Sequence, residues 1–158
     1  MSNKKEFVIF VFILLPMLVV MYFVFSFLFY PHWLLRSAEN GRLDTVIKLL
    51  DKGVDINTKD EWSGTPMMYA AGNGHTDIVA LLLERGVNIN STSRLDRTPL
   101  MWAANRGRDD TVRFLIDKGA DIHLKDREGK TALMLAIERD HESTAAIIRG
   151  YLEHPEEK

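Results

Sequence analysis

Five histidines are the residues best suited to chemistry in this 158-residue chain: His32, His75, His123, His141 and His154. Neutral imidazole binds zinc, and its titration near neutrality suits proton transfer. The spacing argues against a metal centre. His75 and His141 are 66 residues apart, two periods of the repeat described below. At ~10 Å per packed helical layer they would lie about 20 Å apart, too far for one zinc to bridge. The chain has no cysteine, which excludes disulfide frameworks, thiolate zinc sites and cysteine nucleophiles. No nucleophile-plus-base spacing, phosphate-binding glycine loop or isolated acidic pair is present. The sequence therefore predicts no enzyme, no metal, no cofactor and no small-molecule substrate. Twenty Lys plus Arg against 22 Asp plus Glu give a charge of −2, without the basic stripe of a nucleic-acid binder. Asn90-Ser91-Thr92 forms a glycosylation sequon, which matters only in a eukaryotic lumenal compartment.

What remains is recognition, and the elements that would position it repeat along the chain. Gly41, Gly74 and Gly107 recur every 33 residues, with Asp140 in the fourth place. Gly53, Gly86 and Gly119 share that period, as do Thr65, Thr98 and Thr131, and Val46, Val79 and Val112. A fixed period of this length means a solenoid of stacked units. Thr65-Pro66 and Thr98-Pro99 pair a helix N-cap with proline at the first helical position. Ala70-Ala71 and Ala103-Ala104 keep that first helix thin. Gly74 and Gly107 then supply the left-handed residue that ends it. Ile78, Val79, Leu82 and Leu83 fall on one face of a second helix, and Val112, Leu115 and Ile116 repeat that face.

The run Gly64-Thr65-Pro66-Met67-Met68-Tyr69-Ala70-Ala71, followed by Gly74-His75, Leu81-Leu82-Leu83 and Gly86-Val87-Asn88-Ile89-Asn90, resembles the ankyrin repeat family. A second copy from Arg97 to His123 is similar. The resemblance implies an all-α solenoid of about four helix-turn-helix units, at 31–60, 61–93, 94–126 and 127–152. Met68, Met101 and Met134 stand where the family often has histidine. The first unit has His32-Trp33 in the Thr-Pro place, and the last has Asp140 for the turn glycine and Leu152 for the helix-ending one. The last unit reads as a terminal cap, followed by a charged tail at 153–158.

Arrays of this family recognise proteins through the turn tips and the exposed side of the first helices, which line a concave face. By column, the tips are Glu61, Trp62 and Gly64, then Arg94, Leu95 and Arg97, then Arg127, Glu128 and Lys130. The first-helix positions are Asn73, then Asn105 and Arg106, then Glu138 and Arg139. Trp and Arg carry much of the binding energy in protein interfaces. Six Arg and three Asp fall between Arg85 and Arg113, a local excess of three positive charges that points to a partner with an acidic segment. The resemblance thus implies a protein-interaction module without catalysis. A second reading is a regulatory or protective accessory to an enzyme in the same compartment.

The chain also carries an apolar segment. Residues 7–30 hold no charge, and 18 of these 24 are Phe, Val, Ile or Leu. As a helix the segment would extend roughly 36 Å, longer than the ~30 Å hydrocarbon layer. It is read as a single transmembrane helix after a short basic flank at 1–6, with Tyr30 and Trp33 suited to the membrane interface. Lys4 and Lys5 on one side and Arg36, Arg42 and Lys48 on the other make the flanking charge a near tie. Because Lys4 and Lys5 adjoin the apolar run directly, they favour a cytoplasmic N-terminus, with the repeats on the extracytoplasmic side.

Overall fold

The computed structural model describes residues 14–153. Eight helices and no strand occur among them. They are α1 (Leu15–Glu39), α2 (Leu43–Asp51), α3 (Pro66–Asn73), α4 (Thr76–Glu84), α5 (Pro99–Asn105), α6 (Asp109–Asp117), α7 (Ala132–Glu138) and α8 (Glu142–Glu153). The inner helices α1, α3, α5 and α7 stack side by side, and each packs on its own outer helix, α2, α4, α6 or α8.

Local chemistry accounts for the inner helices. Thr65, Thr98 and Thr131 are extended N-caps whose hydroxyls accept the N–H of Met68, Met101 and Met134. In α5 the methionine sulfur closes the cap from the other side, since the Thr98 N–H donates to Met101 Sδ at 3.5 Å. Methionine in the family's histidine column thus still takes part in the cap. The alanine pairs expected to thin these helices, Ala70-Ala71 and Ala103-Ala104, are fully buried between neighbouring units. Around them Ile78, Val79, Leu82, Leu100, Val112, Leu115, Leu135 and Ile148 complete one continuous core.

Successive inner helices are parallel, and their C-terminal ends stand level. His75 Nε2 lies 3.0 Å from the Glu39 carbonyl oxygen, and Arg108 Nε donates to the Gly72 carbonyl at 3.2 Å. Both contacts span 36 residues, so the residue after each turn reaches back to the helix end of the preceding unit. Orphan carbonyls at a helix C-terminus are natural targets for such donors. The outer helices are pinned at their starts: the Thr76 and Thr111 hydroxyls meet at 2.7 Å, and Ser143 and Thr144 donate to Asp109.

Both ends differ from the interior. The first unit has no Thr-Pro cap, and its inner helix is the C-terminal part of α1, which passes through residues 30 and 31 with Pro31 inside it. Residues 7–13 of the predicted span, the basic flank and residues 154–158 lie outside the described residues. Among the described residues no helix is long and apolar enough to cross a membrane. Leu14, Leu15, Met17, Leu18, Val19, Val20, Met21 and Val24 of that segment are exposed. In the last unit Met134 is 51% exposed, whereas Met68 and Met101 in the same column are at most 1% exposed, because no fifth unit covers it. With Leu152 in place of glycine, α8 runs 12 residues where α2, α4 and α6 each run nine.

The turn glycines are of two physical kinds. Gly107 (φ +64°) faces the His141 ring, which would lie 2.7 Å from an added Cβ, whereas Gly119 (φ +89°) faces open space. Gly119→Ala should therefore cost about 1 kcal/mol, the penalty of a left-handed backbone alone. Gly107→Ala should cost more, and His141→Ala combined with it should bring the loss back to the Gly119→Ala level. Chemical denaturation of the three variants beside the parent chain checks this.

Candidate interaction surface

The tips are built by a column of residues that the sequence reading passed over. Asp60 Oδ1 accepts the N–H groups of Trp62 (2.9 Å) and Gly64 (2.7 Å). Asp126 Oδ1 accepts those of Glu128 (2.9 Å) and Lys130 (3.0 Å), and Ser93 Oγ accepts that of Arg97 (3.3 Å). Asp60, Ser93 and Asp126 are 33 residues apart, and short polar side chains that bond backbone two to four residues ahead are turn builders. That period could have identified them. Ser63, Asp96 and Gly129 follow as the left-handed residue of each tip. Adjacent tips are joined through backbone: the Arg94 N–H donates to the Trp62 carbonyl and the Arg127 N–H to the Leu95 carbonyl, each at 3.0 Å.

These joints leave the apolar tip residues outside. Trp62 is 67% exposed and Leu95 48%, with Glu61, Arg94, Arg127 and Glu128 exposed around them. The arginines divide into two groups. Arg97 is half-buried, and its Nε donates to Asp126 Oδ2 at 3.0 Å. Arg127 Nε donates to Asp96 Oδ2 at 3.1 Å, and Arg85 reaches Asp51 of the preceding unit at 3.3 Å. Of the six arginines counted between Arg85 and Arg113, Arg85 and Arg97 are thus met by acids from outside that stretch. Arg94 and Arg139 are exposed and make no side-chain hydrogen bond or ion pair within the described chain.

A second cluster sits on the inner helices. Arg106 Nη1 donates to Asn73 Oδ1 at 3.0 Å, and Asn73 Nδ2 donates to the Tyr69 carbonyl at 2.9 Å. The Arg106 guanidinium lies 5.5 Å from the Trp102 ring centroid, and Trp102 meets Tyr69 edge to face at 5.5 Å. Such contacts are worth roughly 0.5–1.5 kcal/mol each. The Tyr69 hydroxyl donates to Asp60, which ties this cluster to the first tip. Asn105 is half-buried in the next unit, and Glu128 and Glu138 both pair with Lys130, at 2.9 and 2.6 Å. Of the fourteen residues singled out by sequence, Asn73 and Arg106 contact each other, Trp62 and Leu95 carry the tip apolarity, and Arg97 and Arg127 are engaged within the chain.

The histidines have structural neighbours. His75 and His141 pack against Gly41 and Gly107, and His32 and His123 are exposed. His154 lies outside the described residues. Among the described residues no group of three His, Cys, Asp or Glu could hold a metal ion. The sequon Asn90 uses its carboxamide oxygen to accept the Asp121 N–H at 3.0 Å, joining two units.

Two pH and mutational signatures follow. Burial would raise the Asp126 carboxyl, but bonds from the Lys130 backbone, Arg97 and the Glu128 backbone outweigh it and hold the group below 3.8. A depressed native value stabilises above the unfolded one, so this contribution is present above about pH 4 and lost on further acidification. Arg97→Ala should cost about 1–3 kcal/mol by leaving a buried carboxylate short of a partner. Arg94→Ala should stay within about 0.5 kcal/mol, both read by urea denaturation. Burial and the bond to Asp60 push the Tyr69 phenol up from 10.0 to about 12. A raised tyrosine value stabilises below pH 10, and that stability is lost between pH 10 and 12. Unfolding free energies across this range should fall in the parent chain and fall less in Tyr69→Phe.

Thin parallel helices, glycine turns and stacked tips agree with the comparison to known families. A family model described as ankyrin repeats (3 copies) matches over residues 34–126 and 96–154. No curated relative matches the chain. With its fold and the greater part of its length accounted for in this way, the chain belongs to the ankyrin repeat family.

Proposed function

We propose that this chain is a membrane-tethered protein-interaction module that holds a partner protein beside a bilayer, without catalysis of its own. Ankyrin repeats generally mediate protein–protein interaction, and the family is typically non-catalytic. The observation that carries the assignment is the surface shared by the tips and inner helices. There Trp62, Arg94, Leu95 and Arg139 are exposed, and the two arginines make no side-chain hydrogen bond or ion pair among the described residues, on a scaffold whose tips are joined backbone to backbone. Arg94 and Arg139 are the exposed arginines of this surface that no carboxylate of the described residues holds, so recognition of an acidic partner segment is assigned to them. Asn73, Asn105 and Arg106 supply hydrogen-bonding groups between them.

Tethering is supported by the uncharged run at 7–30 and by the exposed apolar side chains at its C-terminal part. A cytoplasmic N-terminus with the repeats on the other side is the orientation the flanking charges favour. A reporter enzyme active on one side only, fused after Lys158, decides it.

A photo-crosslinking residue placed in the full chain at Asn105 should yield one discrete adduct in the native membrane. The same residue at Asp110, on an outer helix, should yield none. Arg94→Glu with Arg139→Glu should abolish the adduct without loss of helical content. An adduct that survives the charge reversal, or that forms equally at Asp110, would overturn this assignment of the surface.

A further inference from the structure

Because the inner helices are parallel and level, the stack has two unlike edges. One carries the inner-helix starts at Pro66, Pro99 and Ala132, the tips leading into them, and the outer-helix ends near Lys52, Arg85 and Lys118. The other carries the turns at Gly41, Gly74 and Gly107 and the outer-helix starts. Trp33 stands in the column of Pro66 and Pro99, so α1 extends beyond the tip edge for the residues from Trp33 back to Leu15, roughly 27 Å. The apolar rod therefore leaves the stack on the side where the tips lie. Lys52 Nζ sits 5.3 Å from the Tyr30 ring centroid, which fixes the end of α2 against the rod at that level.

The exposed apolar side chains are distributed by the same edge. Outside the rod, the large hydrophobic residues exposed among the described residues are Trp33, Trp62, Leu95, Met134, Ile137 and Leu152. Trp33, Trp62 and Leu95 lie on the tip edge, as does Leu152 at the end of the last outer helix. Met134 and Ile137 belong to the uncovered inner helix α7. The turns and outer-helix starts of the opposite edge expose Asn40, Asp77, Arg108, Asp110 and Asp140 instead, with Ile137 at the end of α7 the exposed apolar side chain nearest to them.

We propose that the tip edge rests on the lipid interface, with Trp62 and Leu95 seated among the headgroups beside the inserted rod. This rests on the reading that residues 7–30 span a bilayer. Trp62 precedes the Thr65 cap by three residues, so about 10 Å of chain at most separates it from the plane of the helix starts. Tyr30 and Trp33 place the membrane boundary at that same plane, the depth that tryptophan prefers. Once the rod is inserted, the tip contact is intramolecular, and a weak affinity suffices to keep it closed. With the tips seated in this way, the partner surface proposed above narrows to the inner-helix side, where Asn105 and Arg139 stay available.

The cysteine-free chain allows a single label. An environment-sensitive fluorophore is attached to the full chain through Glu61→Cys, beside Trp62, or through Asp110→Cys on the opposite edge. Each protein is reconstituted into phosphatidylcholine vesicles carrying a quencher at headgroup depth. Emission at position 61 should shift to the blue and be lost to the quencher, and emission at position 110 should do neither. Trp62→Ser with Leu95→Ser should restore emission at 61 while the protein still floats with the vesicles. Protein that floats but shows equal, unquenched emission at both positions overturns the docking and leaves the span standing. Protein that does not float overturns the span and the docking with it. A label at 61 that is shielded by a bound protein and not by lipid gives the tips to protein recognition and overturns the proposal.

Discussion

The close approach of one inner helix to the next is the constraint from which the remaining architecture follows. It depends on alanine pairs: at Ala70-Ala71 and Ala103-Ala104 there is no side chain long enough to hold two helices apart, and all four are fully buried. Larger residues at that height would separate the units, leave voids and remove dispersion contacts over the whole interface. With the spacing set, the residue after each turn can reach the preceding helix end, as His75 and Arg108 do. The same spacing brings the tip backbones within hydrogen-bond distance. Tip geometry is therefore a consequence of helix packing as much as of turn chemistry.

The columns that pack or cap were legible in the sequence because each such role admits few residue types. An N-cap wants a short hydroxyl, a left-handed turn wants glycine, and a close helix contact wants alanine. Thr65, Gly74 and Ala70 were readable for that reason, and so was the family. The column at Asp60, Ser93 and Asp126 was harder, since its residue type changes between units while its role persists. The pairing of arginines was not readable from local counts. Arg97 finds its acid 29 residues away and Arg127 finds its own 31 away, across unit boundaries that only the fold brings together. Of the candidate surface, the positions were legible and the share of charge still open to a partner was not.

Exposure at the last unit follows from the same physics. A repeat buries its inner helix only where another repeat lies over it, so Met134 and Ile137 repeat interior chemistry at a place with no neighbour. Helix α8 continues through Leu152 where the interior units turn at glycine. The end unit is an interior pattern altered at a few positions, and those alterations fall on the parts of the unit that a further repeat would have touched.

The passage of α1 into the first unit without a break has a mechanical meaning. A helix continuous through Tyr30 and Pro31, with Lys52 against its side, joins the apolar rod to the stack without an intervening loop. Whatever medium holds the rod therefore also sets the attitude of the four-unit arm. At ~10 Å per layer that arm is about 30 Å long, so a lean of about ten degrees at the rod becomes a displacement of about 5 Å at α7 and α8. The molecule behaves as a rigid bracket, in which the angle at one end is read as position at the other.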